Sequence, residues 1–146
     1  MTAFIGIDIA KKNCVVCIRD QDNTVREVTS YHNTSRDATE FAKRALEAYG
    51  ECRAVVESTG NMWLKTYEAF ESEGIGIKLA NPSKTRIIAE AKIKTDKLDA
   101  MALSNLLRGD LIAECYVPSR DVRLSRAQSQ HRKRADQNKK QNPQSP

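Results

Sequence analysis

The order of strand-like and helix-like segments constrains the fold of this chain more than any other feature of its sequence. Three β-rich segments come first: Ala3–Ala10 (AFIGIDIA), Asn13–Asp20 (NCVVCIRD) and Thr24–Tyr31 (TVREVTSY). Only short polar connections separate them. Strands joined in this way pair antiparallel, because a parallel pair needs a crossover of about a dozen residues or more. The sequence therefore predicts an antiparallel three-stranded meander at the start of the chain.

Helical and strand patterns alternate after the meander. Residues 33–50 place apolar side chains on one helical face behind Thr34, a helix-capping residue type. Short apolar runs at 52–58 and 75–80 are typical of buried strands. Three further helices are predicted, at 59–74, 82–91 and 95–109. We therefore predict an α/β fold with a five-stranded mixed sheet, in which three antiparallel strands are followed by two strands parallel to the first.

The positive charge of the chain is concentrated in its last segment. From Ser119 onward there are eight basic and two acidic side chains, so this segment carries +6 of a total charge of +5 and leaves −1 for residues 1–118. The segment has almost no apolar side chains, and it cannot bury enough surface to offset the entropy of ordering it. We predict a folded domain at 1–118 and a basic, disordered tail at 119–146. The run Arg132, Lys133 and Arg134 either binds nucleic acid through phosphate contacts or belongs to a solvated remnant.

Two classes of protein are disfavoured by the sequence. No apolar run approaches the roughly 18–20 residues that span a bilayer, and no charged-then-apolar leader is visible, so we expect a cytoplasmic protein. Cys14 and Cys17 form a C-x-x-C pattern, but it falls within a predicted strand, where residues three apart point to opposite faces. We therefore expect ordinary buried thiols rather than a zinc or redox pair.

Four carboxylates fall at positions where the predicted fold can bring them together. Asp8 lies near the end of the first strand and Glu57 at the end of the fourth, and functional groups of α/β sheets gather beyond the carboxyl ends of parallel strands. Asp96 and Asp99 lie three residues apart in the predicted first turn of the last helix, on one helical face. Each has a simpler interpretation as a turn or helix-capping residue. Together they predict a four-carboxylate cluster.

A cluster of four carboxylates requires a cation, because the charges repel one another and burial would protonate some of them. An oxygen-only ligand set suits Mg²⁺ or Mn²⁺. Two such ions about 4 Å apart can stabilise the entering and leaving oxygens of a phosphoryl transfer. Lys94 and Lys97 flank the acids and would then contact the phosphodiester. The predicted chemistry is metal-dependent cleavage or transfer of a nucleic-acid phosphodiester.

Several motifs resemble a known family. FIGIDIAKKNCVVCI, VVESTGNMW, LANPSKTRIIAEAKIKTDKLDA and MALSNLLRGDLIAECYVPS, spread from Phe4 to about Val122, are similar to the N-terminal half of the DEDD-type transposases of insertion sequence 110, a family that includes the pilin-gene invertases. The resemblance implies a RuvC-like version of the ribonuclease H fold. It also implies that Asp8, Glu57, Asp96 and Asp99 bind the metal ions, that DNA is the substrate, and that a guide (bridge) RNA and a homo-oligomer are involved.

The resemblance also reveals a departure from the family. Members continue through a long helix into a second domain that supplies a serine nucleophile, and this sequence ends before such a domain. We therefore expect a truncated transposase that keeps the metal site. A stand-alone RuvC-like nuclease and a catalytically inactive nucleic-acid-binding remnant stay open as alternatives. A sugar kinase or actin-like ATPase is disfavoured, since no glycine-rich phosphate loop follows the first strand.

Overall fold

The architecture is seen in a computed structural model, which describes residues 2–58, 60–119 and 122–123. Nine elements lie within these ranges, and they confirm the predicted order of strands and helices: β1 (Thr2–Ile9), β2 (Asn13–Arg19), β3 (Val25–His32), α1 (Ser35–Tyr49), β4 (Glu51–Glu57), α2 (Leu64–Ser72), β5 (Gly76–Ala80), α3 (Pro82–Ile93) and α4 (Ala100–Arg108).

The five strands form one mixed sheet in the order β3-β2-β1-β4-β5. β1 and β3 pair antiparallel with β2, whereas β4 pairs parallel with both β1 and β5. This arrangement confirms the predicted α/β class and the predicted five-stranded mixed sheet. The lengths of the connections explain the strand directions. Short turns allow only antiparallel pairing, whereas the longer crossover through α1 returns the chain so that β4 runs parallel to β1.

Helices α1 and α2 cover one face of the sheet. α1 begins behind Thr34, whose Oγ1 accepts a hydrogen bond at 3.1 Å from the backbone N–H three residues on. It ends at Gly50, where a φ of 78° suits glycine. Phe41 of α1 stacks between Tyr31 of β3 and Phe70 of α2, with ring centroids 5.1 and 6.1 Å away. The aromatic stack joins both helices to the sheet.

Helices α3 and α4 cover the opposite face. Leu103 and Leu106 of α4 are fully buried, and they belong to the same apolar cluster as Phe4 of β1 and Val55 of β4. Burying a side chain of this size contributes about 2 kcal/mol of hydrophobic stabilisation. The apolar stripe of α4 therefore fixes this helix over the centre of the sheet.

Arg19 of β2 holds α4 from the side. Its Nε donates a hydrogen bond to Ser104 Oγ at 2.8 Å, and its Nη2 donates to the Met101 carbonyl at 3.1 Å. The Ser104 side chain is completely buried, so the guanidinium satisfies a polar group that water cannot reach. The contact restricts rotation of α4 about its own axis.

Gly6 of β1 allows α4 to approach the sheet very closely. A β-carbon at this position would overlap the Ala100 carbonyl and would lie 2.5 Å from the Ser104 backbone nitrogen. Only glycine lets a helix backbone lie directly on a strand in this way. The first turn of α4 is consequently placed beside the carboxyl end of β1.

All four cysteines lie within the described residues, and none of them forms a disulfide there. Cys14, Cys17 and Cys52 are buried free thiols, and Cys115 is a half-buried one. Over residues 2–58, 60–119 and 122–123, no helix is long and apolar enough to cross a membrane.

The chain divides into two compact units, Met1–Cys115 and Tyr116–Pro146. All nine elements belong to the first unit. In the second unit only residues 116–119 and 122–123 are described, and there the Arg123 N–H donates to the Ser119 carbonyl at 3.0 Å. The predicted boundary at residue 118 and the predicted disorder of the basic tail therefore stay predictions.

We predict that Gly6→Ala destabilises the protein by about 1–3 kcal/mol, because the added methyl group pushes α4 away from β1. Gly76→Ala is the matched control, since Gly76 also lies in a strand and a β-carbon there meets no atom within 4 Å. Urea unfolding followed by circular dichroism measures both changes. Equal stability of the two variants would contradict the close contact between α4 and β1.

Candidate active site

Asp8 and Glu57 stand side by side at the carboxyl edge of the sheet. In the parallel pair of β1 and β4, the last registered partners are Ile7 and Val56. Asp8 and Glu57 follow these partners directly along each strand. Because side chains alternate along a strand, Asp8 lies on the same face as Gly6, which is the face that α4 covers. The predicted pairing of these two carboxylates is thus a result of sheet register.

Asp96 and Asp99 reach the same edge on the loop between α3 and α4. Lys94 ends α3 in the left-handed conformation, with a φ of 55°. Asp99 is the N-cap of α4, and its Oδ1 accepts a hydrogen bond from the Ala102 N–H at 2.8 Å. Between the two acids, Leu98 is only 6% exposed and belongs to the core cluster under α4. This buried leucine anchors the loop and keeps both carboxylates near the sheet.

The prediction that Asp96 and Asp99 share one face of a helix was wrong. α4 begins at Ala100 rather than at Thr95, and Asp99 has an extended backbone, with φ of −79° and ψ of 178°. The physical reason is capping: an aspartate satisfies the free N–H groups of a helix best from the position just before its first turn. Asp96 consequently lies in the loop, and the two acids share a cleft instead of a helical face.

One cleft of about 500 Å³ brings all four carboxylates together. Its lining residues are Asp8, Glu57, Arg86, Asp96, Lys97, Leu98 and Asp99. The cleft lies at the carboxyl edge of the parallel strands, where α/β proteins carry their functional groups. The set of residues selected from the sequence therefore surrounds one space.

The carboxylates in the cleft interact electrostatically. Partial burial against the sheet edge raises the pKa of Asp8 above its ordinary value, and the negative charges of Glu57 and then Asp99 raise it further. Lys97 opposes them and lowers the pKa of Asp8. Glu57 and Asp99, which line the same cleft, therefore disfavour the ionised form of Asp8. The cleft is a place where a bound cation would relieve repulsion.

The carboxylate oxygens of the cleft are suitable ligands for a hard divalent cation, although they are not close enough together to coordinate one ion. All four candidate ligands are carboxylates, the groups that Mg²⁺ and Mn²⁺ prefer. Within the described part of the chain, no group of three or more His, Cys, Asp or Glu side chains is close enough to hold one ion. The side chains would therefore have to reorient to coordinate a metal.

Arg86 of α3 is a residue of the cleft that the sequence analysis missed. Its Nη2 lies 3.6 Å from Glu57 Oε1, and the Glu57 side chain is 17% exposed. A signal for it was available: α3 begins at Pro82, directly after β5, so its first turns start from the same sheet edge as the four acids. An arginine in those turns can reach the cleft.

The predicted nucleic-acid contacts fall in three places. Lys97 lines the cleft, and Lys94 is an exposed residue at the end of α3. The run Arg132, Lys133 and Arg134 lies outside the described residues. Only Lys97 is therefore described as part of the site itself.

A comparison with protein families identifies the chain. The family model for DEDD-type transposases of insertion sequence 110, described as a transposase, matches residues 5–142. The chain belongs to this transposase family. The match covers most of residues 119–146, and so it extends further than the motifs quoted above, which end at about Val122.

Comparison with solved structures gives weaker likenesses. The large terminase nuclease of the thermophilic phage G20c is 21% identical, with a TM-score of 0.47 over 77% of this chain and 57% of that one. A protein described as a sugar kinase from Cytophaga hutchinsonii is 15% identical, with a TM-score of 0.43 over 60% of this chain and 38% of that one. The ethanolamine utilization protein EutJ from Carboxydothermus hydrogenoformans is 10% identical, with a TM-score of 0.39 over 60% of this chain and 39% of that one.

The chain thus spans between 38 and 57% of the length of these proteins. Likenesses at this level do not bear on function. No curated protein sequence matches the transposase chain.

We predict that Asp8→Asn stabilises the metal-free protein at neutral pH. A raised pKa means that the folded chain binds the Asp8 proton more tightly than the unfolded chain, so ionised Asp8 disfavours folding. The penalty is absent below the ordinary carboxyl pKa and develops as the pH rises through the raised folded value. Solvent screens the exposed carboxyl, and we expect Tm to rise by about 2 °C at pH 7 in EDTA.

Glu27→Gln is the control of opposite sign. Arg44 Nη2 and the Tyr49 hydroxyl donate to Glu27 at 2.7 and 2.8 Å, and the bond from Arg44 lowers the pKa of Glu27. Its removal should lower Tm at pH 7, by an amount that shrinks as the pH falls below the ordinary carboxyl range. Thermal unfolding between pH 3 and 8 measures both, and an Asp8→Asn variant less stable than the parent at pH 7 would contradict repulsion in the cleft.

Proposed function

We propose that this protein acts in DNA transposition or recombination, through a carboxylate site that uses divalent metal ions for phosphodiester chemistry. One observation carries the proposal: the four carboxylates Asp8, Glu57, Asp96 and Asp99 line a single cleft at the carboxyl edge of the sheet. They come from β1, β4 and the loop before α4, in a chain that belongs to a transposase family. A cluster made only for helix capping would not need Asp8 and Glu57.

The four carboxylates would hold Mg²⁺ or Mn²⁺, which would supply charge stabilisation for the oxygens that enter and leave phosphorus. Asp8 and Glu57, fixed on adjacent strands, form the rigid half of the ligand set. Asp96 and Asp99 belong to a loop and form the adaptable half, with Asp99 restrained by its cap. Reorientation of the loop half would bring the donors together.

Lysines at the rim would position DNA. Lys97 lines the cleft, and its charge already favours the ionised form of Asp8. When a phosphodiester enters, the same ammonium group can contact a non-bridging phosphate oxygen. Lys94, exposed at the end of α3 and three residues before Lys97, would supply a second phosphate contact.

Cleavage of supercoiled DNA tests the proposal. We predict that the chain nicks supercoiled plasmid in Mg²⁺ or Mn²⁺ and not in EDTA. Asp8→Ala and Asp96→Ala should each lower the rate at least about 100-fold, since loss of a ligand removes transition-state stabilisation. Agarose-gel quantification of the nicked form measures the rate. Activity that survives both substitutions would sink the metal-site proposal.

A catalytically inactive DNA-binding protein is the second candidate. It is favoured by the absence, within the described residues, of any group of three ligand side chains close enough to hold a metal ion. Under this alternative the parent chain shifts DNA in a gel without cleaving it, and Asp8→Ala leaves the DNA affinity unchanged or raises it. A parent that cleaves DNA with Mn²⁺ excludes the alternative.

We predict that two substitutions at Asp99 separate its role as a helix cap from its role as a metal ligand. Asparagine caps helices as well as aspartate does, whereas alanine costs about 1 kcal/mol. Asp99→Asn should therefore leave Tm unchanged and abolish metal-dependent cleavage. Asp99→Ala should lower Tm and also abolish cleavage. Thermal unfolding and the nicking assay measure the two effects.

Asn81 provides the matched control for Asp99. Asn81 caps α3 by accepting a hydrogen bond from the Lys84 N–H at 3.1 Å, and it is not among the residues that line the cleft. Asn81→Ala should lower Tm about as much as Asp99→Ala and leave the metal dependence of cleavage unchanged. Full cleavage by Asp99→Asn would show that this aspartate is a cap alone.

The remaining family properties extend the proposal. A guide RNA and a homo-oligomer are implied by the family resemblance, and both stay predictions. A DNA substrate supports the cytoplasmic localisation expected from the sequence. The basic segment 119–146 is the region we expect to contribute further phosphate contacts, with Arg132, Lys133 and Arg134 at its centre.

A further inference from the structure

The cleft contains a positive charge from α3 that points at one of the proposed metal ligands. Arg86 Nη2 lies 3.6 Å from Glu57 Oε1. The Glu57 side chain is 17% exposed and the Arg86 side chain 51%. The carboxylate is thus mostly enclosed, whereas about half of the arginine side chain is exposed to solvent.

The charges around the cleft nearly match the charge of one divalent cation. Four carboxylates and two cationic side chains line it, which leaves a net charge of about −2 when all six are ionised. Glu57 nevertheless faces a guanidinium already, and the donors are not gathered closely enough to hold an ion. Both observations describe a site in which a guanidinium occupies a carboxylate that a metal ion would need.

We propose that Arg86 is an internal counter-cation that competes with the divalent metal ion for Glu57, so that the ion binds as the guanidinium moves away. The inference rests on the proposed function, because it assigns a regulator to that same site. A guanidinium and a metal ion cannot both approach one carboxylate oxygen, since their charges repel and their shells overlap. Because the Arg86 side chain is 51% exposed, it can swing away from Glu57 into solvent without movement of α3.

Incoming DNA gives the displaced guanidinium a new partner. Arginine binds phosphate oxygens through two parallel N–H donors, a stronger arrangement than the 3.6 Å contact with Glu57. DNA that draws Arg86 away exposes Glu57 to the metal ion, and by linkage the metal ion then strengthens DNA binding by the same factor. Metal loading is thereby tied to the presence of substrate.

Metal titration without DNA tests the competition. Mn²⁺ is added to the full chain and free Mn²⁺ is measured by electron paramagnetic resonance. Arg86→Ala should bind Mn²⁺ about fivefold more tightly than the parent, the change expected when a competing ion pair of this exposure is lost. Arg86→Lys keeps the charge on a shorter-reaching group and should change the affinity less.

Two controls distinguish the effect of freeing Glu57 from the effect of removing any positive charge. Arg36 forms an exposed ion pair with Glu40 at 3.4 Å on α1, so Arg36→Ala removes an arginine–glutamate pair away from the cleft and should leave Mn²⁺ affinity unchanged. Lys97→Ala removes a positive charge from the cleft itself, and its effect should be clearly smaller than that of Arg86→Ala. Circular dichroism confirms that each variant folds.

The outcomes distinguish this inference from the proposed function. If Arg86→Ala binds Mn²⁺ no more tightly than the parent, the competition is overturned and the proposed metal site is not. The same holds if Lys97→Ala gains as much Mn²⁺ affinity as Arg86→Ala. Tight binding that persists in an Arg86→Ala/Asp96→Ala double variant, or no binding by any variant, overturns the metal site itself. A short DNA duplex should raise the Mn²⁺ affinity of the parent more than that of Arg86→Ala; an equal rise overturns the exchange with phosphate.

Discussion

The direct contact between the α4 backbone and Gly6 of β1 is the constraint on which the rest of the structure depends. Without a side chain at Gly6, the first turn of α4 lies on the strand itself. The apolar stripe of α4 then fills the core, and Arg19 fixes its rotation through Ser104. Because the N-cap of this helix is Asp99, the same contact places a carboxylate beside Asp8. The contact that packs α4 on the sheet therefore also brings the carboxylates of the site together.

The electrostatics of the site oppose its packing. Burial raises the pKa of Asp8, and the negative charges of Glu57 and Asp99 raise it further, which means that ionised Asp8 disfavours the folded chain. Lys97 and Arg86 offset part of it from the rim of the cleft. Groups held together against their own repulsion are typical of functional sites, since a ligand of opposite charge then binds with a large differential gain. The proposed metal ions are such ligands.

Much of the fold was predictable because local rules decide it. Short polar turns permit only antiparallel pairing, and Thr34 with a heptad-like apolar stripe specifies α1. Asp8 and Glu57 could be placed because strand ends follow from strand lengths. The start of α4 was mispredicted because both Thr95 and Asp99 are good capping residues, and the choice between them depends on Leu98 entering the core. Arg86 was missed because the position of α3 after β5 indicates only that its first turns lie near the acids, whereas the contact of Arg86 with Glu57 depends on how α3 packs.

The sequence by itself determined the order of the elements, the α/β class, the family resemblance and the identity of the four acidic residues. Each of these depends on residue type and local spacing, which are read along the chain. Tertiary structure alone decided that Asp96 and Asp99 share a cleft rather than a helical face, that Asp99 caps α4, and that Arg86 faces Glu57. These facts depend on how closely α4 lies on β1 and on where α3 ends, and distances between elements remote in sequence are fixed only when the core packs.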